Sequence, residues 1–197
     1  MSKNQYLKLK IILVGDSSVG KSSILLKYDS NTFLDIYNAT IGMDFIYKDV
    51  QVDGIKIKLQ VMDTAGQEKY RSMIPSYFKG VDGIFLVFDL SQRSSFDSLD
   101  NWIKIIGNYF NITPNNLILL GNKSDLSEIR AVDKEEIDTF KDKNKNIEYR
   151  EISTKNKEEV DSVFEDLVKL ILKDKPELNS IKGSKLNNQT TRKKKFC

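Results

Sequence analysis

The chain has 197 residues, a length that suits one domain or one domain with a tail. Its composition is 40% hydrophobic and 30% charged, and it has neither a membrane-length apolar run nor a signal-peptide core, so we expect a cytosolic globular protein. The single cysteine, Cys197, excludes an internal disulfide, and the absence of histidine excludes histidine general bases and metal ligands.

Strand and helix patterns alternate from the N-terminus. The apolar run at residues 8–14 predicts a strand, and residues 20–29 predict the helix that follows it. Residues 43–52 and 55–62 predict a hairpin around the turn dipeptide Asp53-Gly54. In the second strand of this hairpin, alternate positions are apolar and therefore share one face: Ile55, Ile57, Leu59 and Val61.

The second half of the chain continues the alternation. Unbroken apolar runs at 84–88 and 117–120 predict central strands that are buried on both faces. The remaining predicted elements are a helix over 96–110, a polar helix over 133–143, an edge strand at 147–152 and an amphipathic helix from Val160 that ends before Pro176. Repeated strand–helix units predict an α/β fold, a mostly parallel sheet with helices on both faces, which binds ligands at the carboxyl ends of its strands.

The C-terminal segment differs from the rest of the chain in charge. Residues 179–197 carry six basic side chains and no acidic one, so with +3 overall the remaining chain carries −3. From about residue 175 the sequence is polar and lacks apolar periodicity, which predicts a flexible tail. A basic tail on a mildly acidic body suits an anionic membrane surface or a partner protein better than nucleic acid.

Residues 15–22, Gly-Asp-Ser-Ser-Val-Gly-Lys-Ser, match the phosphate-binding pattern G-x-x-x-x-G-K-[ST]. They lie between a predicted strand and a predicted helix, the context that the pattern requires. The glycines let backbone N–H groups surround phosphate oxygens, Lys21 can reach the outer phosphates, and the Ser22 hydroxyl can ligate Mg²⁺. The predicted phosphate-binding residues are Gly15, Asp16, Ser17, Ser18, Val19, Gly20, Lys21, Ser22 and Ser23. The alternative is a glycine-rich turn that binds nothing.

Two further motifs follow predicted strands. Asp63, at the end of the hairpin, can hold Mg²⁺ through water, and the N–H of Gly66 could approach a terminal phosphate. Residues 122–125, Asn-Lys-Ser-Asp, place the Asp125 carboxylate where it could accept two hydrogen bonds from the N1–H and N2–H₂ edge of guanine, donors that adenine lacks. Taken singly, Asp63 could be a turn acid and Asp125 a helix cap.

With these motifs in order, residues 7–174 resemble the Ras-like small GTPases, and among them the Rab branch. The resemblance also rests on Ala-Thr-Ile-Gly-Met-Asp-Phe at 39–45, on residues 71–80 and on Glu-Ile-Ser-Thr-Lys at 151–155. It implies a P-loop NTPase fold of six strands, with one antiparallel edge strand, over residues 1–174, and a hypervariable tail over 175–197.

The resemblance implies a GTPase that acts as a nucleotide-dependent switch in vesicle and membrane traffic. No arginine lies in the phosphate loop, so hydrolysis should proceed at about 10⁻⁴–10⁻³ s⁻¹ until an activating protein supplies the missing charge. The implied partners are an exchange factor, an activating protein, effectors, and proteins that deliver and extract a prenylated chain. We expect a monomer that does not bind nucleic acid.

The resemblance assigns roles to residues that match the family's motifs. The implied catalytic set is Gln67, which would orient the attacking water, with Lys21 and Thr40. The implied Mg²⁺ ligands are Ser22, Thr40 and Asp63. The implied guanine pocket comprises Phe33, Asn122, Lys123, Asp125, Ser153, Thr154 and Lys155. The implied effector surface comprises Ile41, Gly42, Met43, Asp44, Phe45, Met62 and Tyr77, with Phe45, Met62 and Tyr77 in an exposed patch.

Three positions depart from the family pattern. Met62 replaces a tryptophan, either as a tolerated apolar exchange or with an altered partner set. Thr154 replaces an alanine, so its extra atoms must point away from the base. Cys197 ends the chain with no residue after it; beside three lysines it resembles a geranylgeranyl acceptor that would anchor the protein to a cytosolic membrane face, and the alternative is an unmodified end.

Two other functions compete with a cycling switch. One is a nucleotide-locked binding module that does not cycle, with an altered effector surface. The retained Gln67 and Thr40 argue against it, because both would be free to drift in such a protein. The other is an ATP-dependent kinase, which is disfavoured because the chain lacks a lid segment and residues 122–125 favour guanine.

Overall fold

The computed structural model describes residues 6–29, 43–64 and 74–175. The elements in these ranges, in chain order, are β1 (Leu7–Val14), α1 (Lys21–Asp29), β2 (Met43–Val52), β3 (Ile55–Thr64), α2 (Ile74–Phe78), β4 (Gly83–Asp89), α3 (Arg93–Asp97), α4 (Leu99–Gly107), β5 (Leu117–Asn122), α5 (Lys134–Lys143), β6 (Glu148–Ile152) and α6 (Lys157–Lys173). A short 3₁₀ turn, Ser127–Ile129, lies between β5 and α5.

Within the described ranges, six strands form one sheet in the order β2-β3-β1-β4-β5-β6. Only the β2–β3 pair of this sheet is antiparallel, and the other four pairs are parallel. The predicted fold is therefore confirmed: there is one antiparallel edge strand, which is β2, and the predicted edge strand β6 lies at the opposite edge. Because the parallel strands run the same way, their carboxyl ends meet at one edge of the sheet, where ligands bind in such folds.

Alternation along the strands divides the apolar residues between two cores. One face of β1 carries Leu9, Ile11 and Leu13 into a core that includes residues of α1 and α6. The other face carries Ile12 and Val14 into a second core that includes residues of α2, α4 and α5. Helices therefore cover both faces of the sheet, which explains why the central strands are continuous apolar runs.

Turn and helix boundaries show what local sequence can predict. Asp53 and Gly54 have φ angles of 51° and 79°, as expected for a tight hairpin turn between β2 and β3. The single helix predicted over 96–110 is instead two, α3 and α4, which meet at Ser98. Ser98 keeps a helical backbone (φ −80°, ψ −10°), and its hydroxyl oxygen lies 3.1 Å from the Ser95 carbonyl oxygen.

Met62 corrects one prediction about the surface. Strand alternation correctly assigns it to the face opposite Ile57 and Leu59, but its side chain is only 3% exposed and belongs to the second core. Tyr77, from α2, is 4% exposed in the same core, whereas Phe45 is 47% exposed. The prediction of an exposed patch is therefore wrong for Met62 and Tyr77, because elements on that face of the sheet bury them together.

The C-terminal tail lies outside the described residues beyond Lys175, which itself pairs with Asp82 at 2.6 Å. The prediction of a flexible tail over residues 175–197 is therefore carried forward as a prediction. Among the helices of the three described ranges, none combines the length and the apolar character needed to cross a membrane.

Candidate nucleotide-binding site

The phosphate loop connects β1 to α1 and passes directly over the neighbouring strand ends. Gly15 has a φ of +146°, and a Cβ atom there would lie 2.1 Å from the carbonyl oxygen of Val87 in β4. Gly20 has a φ of +99°, and a Cβ atom there would lie 2.2 Å from the side-chain Nδ2 of Asn122 in β5. Both glycines are therefore required by backbone conformation and by close approach.

Lys21, the first residue of α1, folds back over this loop. Its Nζ donates to the carbonyl oxygens of Gly15 (3.0 Å) and Asp16 (2.6 Å), and the side chain is buried. Desolvation lowers the pKa of Lys21 to about 8, although the nearby carboxylates of Asp63 and Asp16 oppose this shift. A cation held this way beside a helix N-terminus is suited to bind phosphate oxygens.

Side-chain oxygen atoms that could ligate a metal ion lie together beside Lys21. The Ser22 hydroxyl donates to a carboxylate oxygen of Asp63, a fully buried residue near the end of β3. The adjacent Thr64 hydroxyl donates to the Leu13 carbonyl oxygen at 2.7 Å, which fixes the end of β3 against β1. A serine hydroxyl in contact with a carboxylate is a donor set that fits Mg²⁺ in type and position.

Asn122 joins the guanine motif to the phosphate loop. It ends β5, is fully buried, and its Nδ2 donates to the carbonyl oxygen of Val19 at 2.8 Å. The next residue, Lys123, has a φ of 63° and pairs through its Nζ with Asp89 at 2.6 Å. Asp89 is buried at the end of β4 and also accepts hydrogen bonds from the N–H and hydroxyl of Ser91.

Asp125 meets the loop after β6. Its Oδ1 accepts a hydrogen bond from the Ser153 hydroxyl at 2.7 Å, and its Oδ2 pairs with the Lys155 Nζ at 2.7 Å. These contacts, the one from Lys155 above all, hold the pKa of Asp125 below its usual value against the opposing effect of desolvation. The carboxylate is therefore ionised at neutral pH, as an acceptor for two base N–H groups must be.

A cavity of about 650 Å³ opens at this end of the cleft. Its lining includes Lys27, Ser124, Asp125, Ser153 and Lys155. This volume falls within the usual range for small-molecule sites, roughly 300–1,000 Å³.

The loop after β6 is braced by the first turn of α6. Glu159 accepts the N–H of Ser153 through Oε2 and the side-chain N–H of Asn156 through Oε1, both at 2.7 Å. Asn156 caps α6 and accepts the N–H groups of Glu158 and Glu159. Thr154, between these contacts, is buried.

The structure brings most of the predicted site together at the carboxyl edge of the sheet. These residues are Gly15, Asp16, Ser17, Ser18, Val19, Gly20, Lys21, Ser22, Ser23, Asp63, Asn122, Lys123, Asp125, Ser153, Thr154 and Lys155. Met43 and Asp44 are described only as backbone, paired with Thr64 and Asp63. The predicted residues that lie outside the described ranges are Phe33, Thr40, Ile41, Gly42, Gly66, Gln67 and Cys197.

Sequence reasoning missed three groups that hold the site. Asp89 supports Lys123, Glu159 supports the loop after β6, and Ser98 and Trp102 bind the carboxylate of Asp16. Asp89 directly follows the apolar run at 84–88, so the rule that singled out Asp63 could have found it. Nothing in the local pattern indicated Ser98 and Trp102, because their contacts with Asp16 join segments 82 and 86 residues apart. Glu159 binds only three and six residues away, and its spacing from Asn156 was the signal that could have found it.

The sheet order, the phosphate loop and the guanine-side cleft define a P-loop GTPase fold, and comparison with known proteins agrees. The family model of the Ras family matches residues 10–173. The chain is 42% identical over 166 residues to Ras-related protein Rab-18-B of Danio rerio, covering 83% of this chain and 79% of that protein. It is 40% identical over 170 residues to Ras-related protein Rab-1C of Dictyostelium discoideum, covering 86% and 83%.

A plant relative shows the same similarity: Ras-related protein RABD2a of Arabidopsis thaliana is 41% identical over 155 residues, with 79% of this chain and 75% of that protein covered. The chain therefore belongs to the Ras family and, within it, is a Rab-type small GTPase that binds GTP and GDP and hydrolyses GTP.

Proposed function

We propose that the nucleotide lies with its phosphates in the loop of residues 15–22 and its base beside Asp125. The observation that carries this placement is the Asn122–Val19 hydrogen bond, which ties the guanine motif to the phosphate loop. An ionised Asp125 at one end and a buried Lys21 at the other are complementary to the two ends of a guanosine phosphate. Adenine offers no donor pair to Asp125, and an unmatched carboxylate disfavours it.

Ser22 and Asp63 fit a Mg²⁺ ion, with Thr40 as the proposed third protein ligand. When bound, Mg²⁺ would neutralise phosphate charge. Lys21 would move its donors from the loop carbonyls to the outer phosphates, and Gln67 would orient the attacking water. The phosphate loop contains no arginine, so hydrolysis is proposed to be slow until an activating protein supplies one.

The biological output of this slow reaction is the conformational state. The γ-phosphate would order the segments that contain Thr40 and Gly66, and hydrolysis would release them. Residues 41–45 would then present an effector surface in which Phe45 is already exposed. Exchange factors, activating proteins and effectors are the proposed partners, in vesicle and membrane traffic, with the chain acting as a monomer.

The basic tail is proposed to attach the switch to the cytosolic face of a membrane. One prenyl chain on Cys197 would bind a bilayer only marginally, and the preceding lysines would add about 1 kcal/mol per charge near an anionic surface. Proteins that deliver and extract the prenylated chain are therefore further proposed partners. The boundary near residue 174 separates this anchor from the nucleotide-binding domain.

Nucleotide retention tests the placement directly. We expect the purified protein to retain GDP or GTP in the presence of Mg²⁺ and to ignore ATP. Lys21→Ala should weaken GDP binding by about a hundredfold or more, because it removes charge-assisted hydrogen bonds to phosphate. Lys104→Ala, an exposed lysine of α4, is the matched control and should bind GDP as the unaltered chain does. Equal binding of ATP and GTP, or normal GDP binding by Lys21→Ala, would contradict the placement.

Single-turnover hydrolysis separates a cycling switch from a nucleotide-locked module. We expect GTP to be consumed slowly by the protein alone and much faster with a Rab-activating domain. No hydrolysis under either condition would favour the locked module.

A further inference from the structure

The side chain of Asp16 turns away from the phosphate loop toward α4. Its Oδ1 accepts a hydrogen bond from the indole Nε1 of Trp102 at 2.7 Å, and its Oδ2 accepts one from the Ser98 hydroxyl at 2.6 Å. These partners lie 82 and 86 residues further along the chain. Both oxygens of one loop carboxylate are therefore bound by the N-terminal part of a single helix.

The phosphate loop needs such support because its backbone is unusual. Gly15 and Gly20 have positive φ angles, and so does Ser18, a non-glycine residue with a φ of 66°. Backbone in this region persists only where the surrounding structure fixes it. Lys21 binds two loop carbonyls from the α1 side, and α4 binds the Asp16 carboxylate from the other side.

The two hydrogen bonds from Ser98 and Trp102 to Asp16, here called the clamp from α4, are not needed to hold α4 on the sheet. Leu99 and Ile106 of this helix are fully buried in the second core. Asp16 and Trp102 are only half-buried. Loss of the clamp therefore changes little apolar burial, whereas it frees the loop residue that follows Gly15.

We infer that Trp102 and Ser98 are positioning residues for phosphate binding, which act through Asp16 by holding the loop amides in the conformation that phosphates require. This inference rests on the proposed function of the loop. A hydrogen bond to a charged group contributes more than a neutral one, and for a half-buried pair we expect its loss to raise the GDP dissociation constant about tenfold. Binding of the base should not change.

The experiment compares Trp102→Phe and Ser98→Ala with the unaltered full-length chain. Phenylalanine removes the indole N–H and keeps an aromatic ring, and alanine removes the hydroxyl. We expect each variant to bind GDP about tenfold more weakly and to release it faster, while the ratio of GDP to IDP affinity stays the same. That ratio reports the contact of the 2-amino group with Asp125, so a general structural defect would disturb it.

Matched controls come from the same region. Ser94→Ala removes an exposed hydroxyl from α3, and Tyr109→Phe removes an exposed hydroxyl just after α4. Both should bind GDP normally.

Trp102 is the sole tryptophan, so Asp16→Asn should shift the protein's indole emission while far-UV circular dichroism stays unchanged.

The outcomes separate the inference from the function on which it rests. Failure of the unaltered chain to retain GDP would overturn the proposed function and the inference with it. Normal GDP binding by both Trp102→Phe and Ser98→Ala, beside an unaltered chain that retains GDP, would overturn the inference alone. Equal losses of GDP affinity in the control variants, or a changed GDP to IDP ratio, would also overturn it. If Trp102→Phe fails to fold, Ser98→Ala and Asp16→Asn decide the matter.

Discussion

The two ends of the nucleotide cleft are built differently. At the phosphate end, Lys21 and Asp63 are buried, with at most 5% of either residue exposed. At the guanine end, Lys155 and Asp125 form their ion pair with side chains that are 61% and 28% exposed. Water and salt weaken the interactions of half-exposed charges much more than those of buried charges. The comparison suggests that the phosphate end supplies most of the binding free energy and the guanine end supplies the choice of base.

The contacts that support the two ends also differ, in how far apart their residues lie in the sequence. The phosphate loop is held by glycines pressed against strand ends and by the clamp from α4, contacts between segments far apart in sequence. The loop after β6 is held by the cap of α6, only a few residues away in sequence. Long-range contacts form only when the whole sheet is assembled, whereas the local cap depends on one helix.

The largest expected effect that tests this comparison is on base selectivity. We expect Asp125→Ala to reduce the preference for GDP over ADP by about a hundredfold or more, because the base loses an ionised partner for two donors. The phosphate end is unchanged, so ADP affinity should stay near its original value. Competitive displacement of a labelled nucleotide by GDP and by ADP measures both constants.

Asp138→Ala is the control for this selectivity change, because Asp138 also forms a half-exposed pair, with Lys141, on α5. It should leave the GDP to ADP ratio unaltered. Persistence of a strong GDP preference in Asp125→Ala would mean that the base is selected elsewhere.

A smaller effect is expected from titration of Lys21 at the phosphate end. Its pKa in the free protein is lowered to about 8, and bound phosphate would raise it because the phosphate stabilises the ammonium form. Nucleotide binding therefore takes up a proton above pH 8, and affinity should be constant below that pH and fall by up to about tenfold per pH unit above it. Calorimetric titration with GDP between pH 7 and 9 measures this slope.

Guanine itself loses its N1 proton in alkaline solution, which would also weaken binding to Asp125. The titration is therefore repeated with Asp125→Ala, in which that contact is absent. The same slope in both proteins would assign the effect to the phosphate end. A GDP affinity that stays constant up to pH 9 would show that Lys21 keeps its proton in the free protein.

The chain's local patterns predicted the sheet and the location of the site because both depend on short segments. Strand alternation assigned Met62 to the correct face, and the motifs at 15–22, 63 and 122–125 each end a strand, so a parallel sheet must bring them to one edge. What local patterns could not predict is which element covers a face. The burial of Met62 and Tyr77 depends on the packing of the second core, and alternation says nothing about that packing.

Two supports of the site, Ser98 and Trp102, were beyond local patterns for the same reason. Trp102 lies beside the apolar positions of α4 and packs against the second core, yet its indole N–H binds Asp16 across 86 residues of sequence. Such a contact depends on the relative positions of β1 and α4, which only the assembled fold determines. Asp89 is the exception, because it ends a strand and the same rule applied to Asp63 would have identified it.

The smallest expected effect concerns the brace of the guanine end. Glu159→Ala removes the acceptor of the Ser153 N–H and one partner of Asn156, so the loop after β6 should become more mobile. Because Lys155 and Asn156 of this loop are exposed, water can replace part of the lost contact, and we expect GDP release to quicken by only about threefold. Glu165→Ala removes the same charge from an exposed position on the same helix, away from Ser153, so it should release GDP at the original rate. Stopped-flow release of a fluorescent GDP measures both variants. If Glu159→Ala accelerated GDP release as much as Trp102→Phe, the two ends of the cleft would contribute equally to nucleotide retention. The phosphate end would then not supply most of the binding free energy.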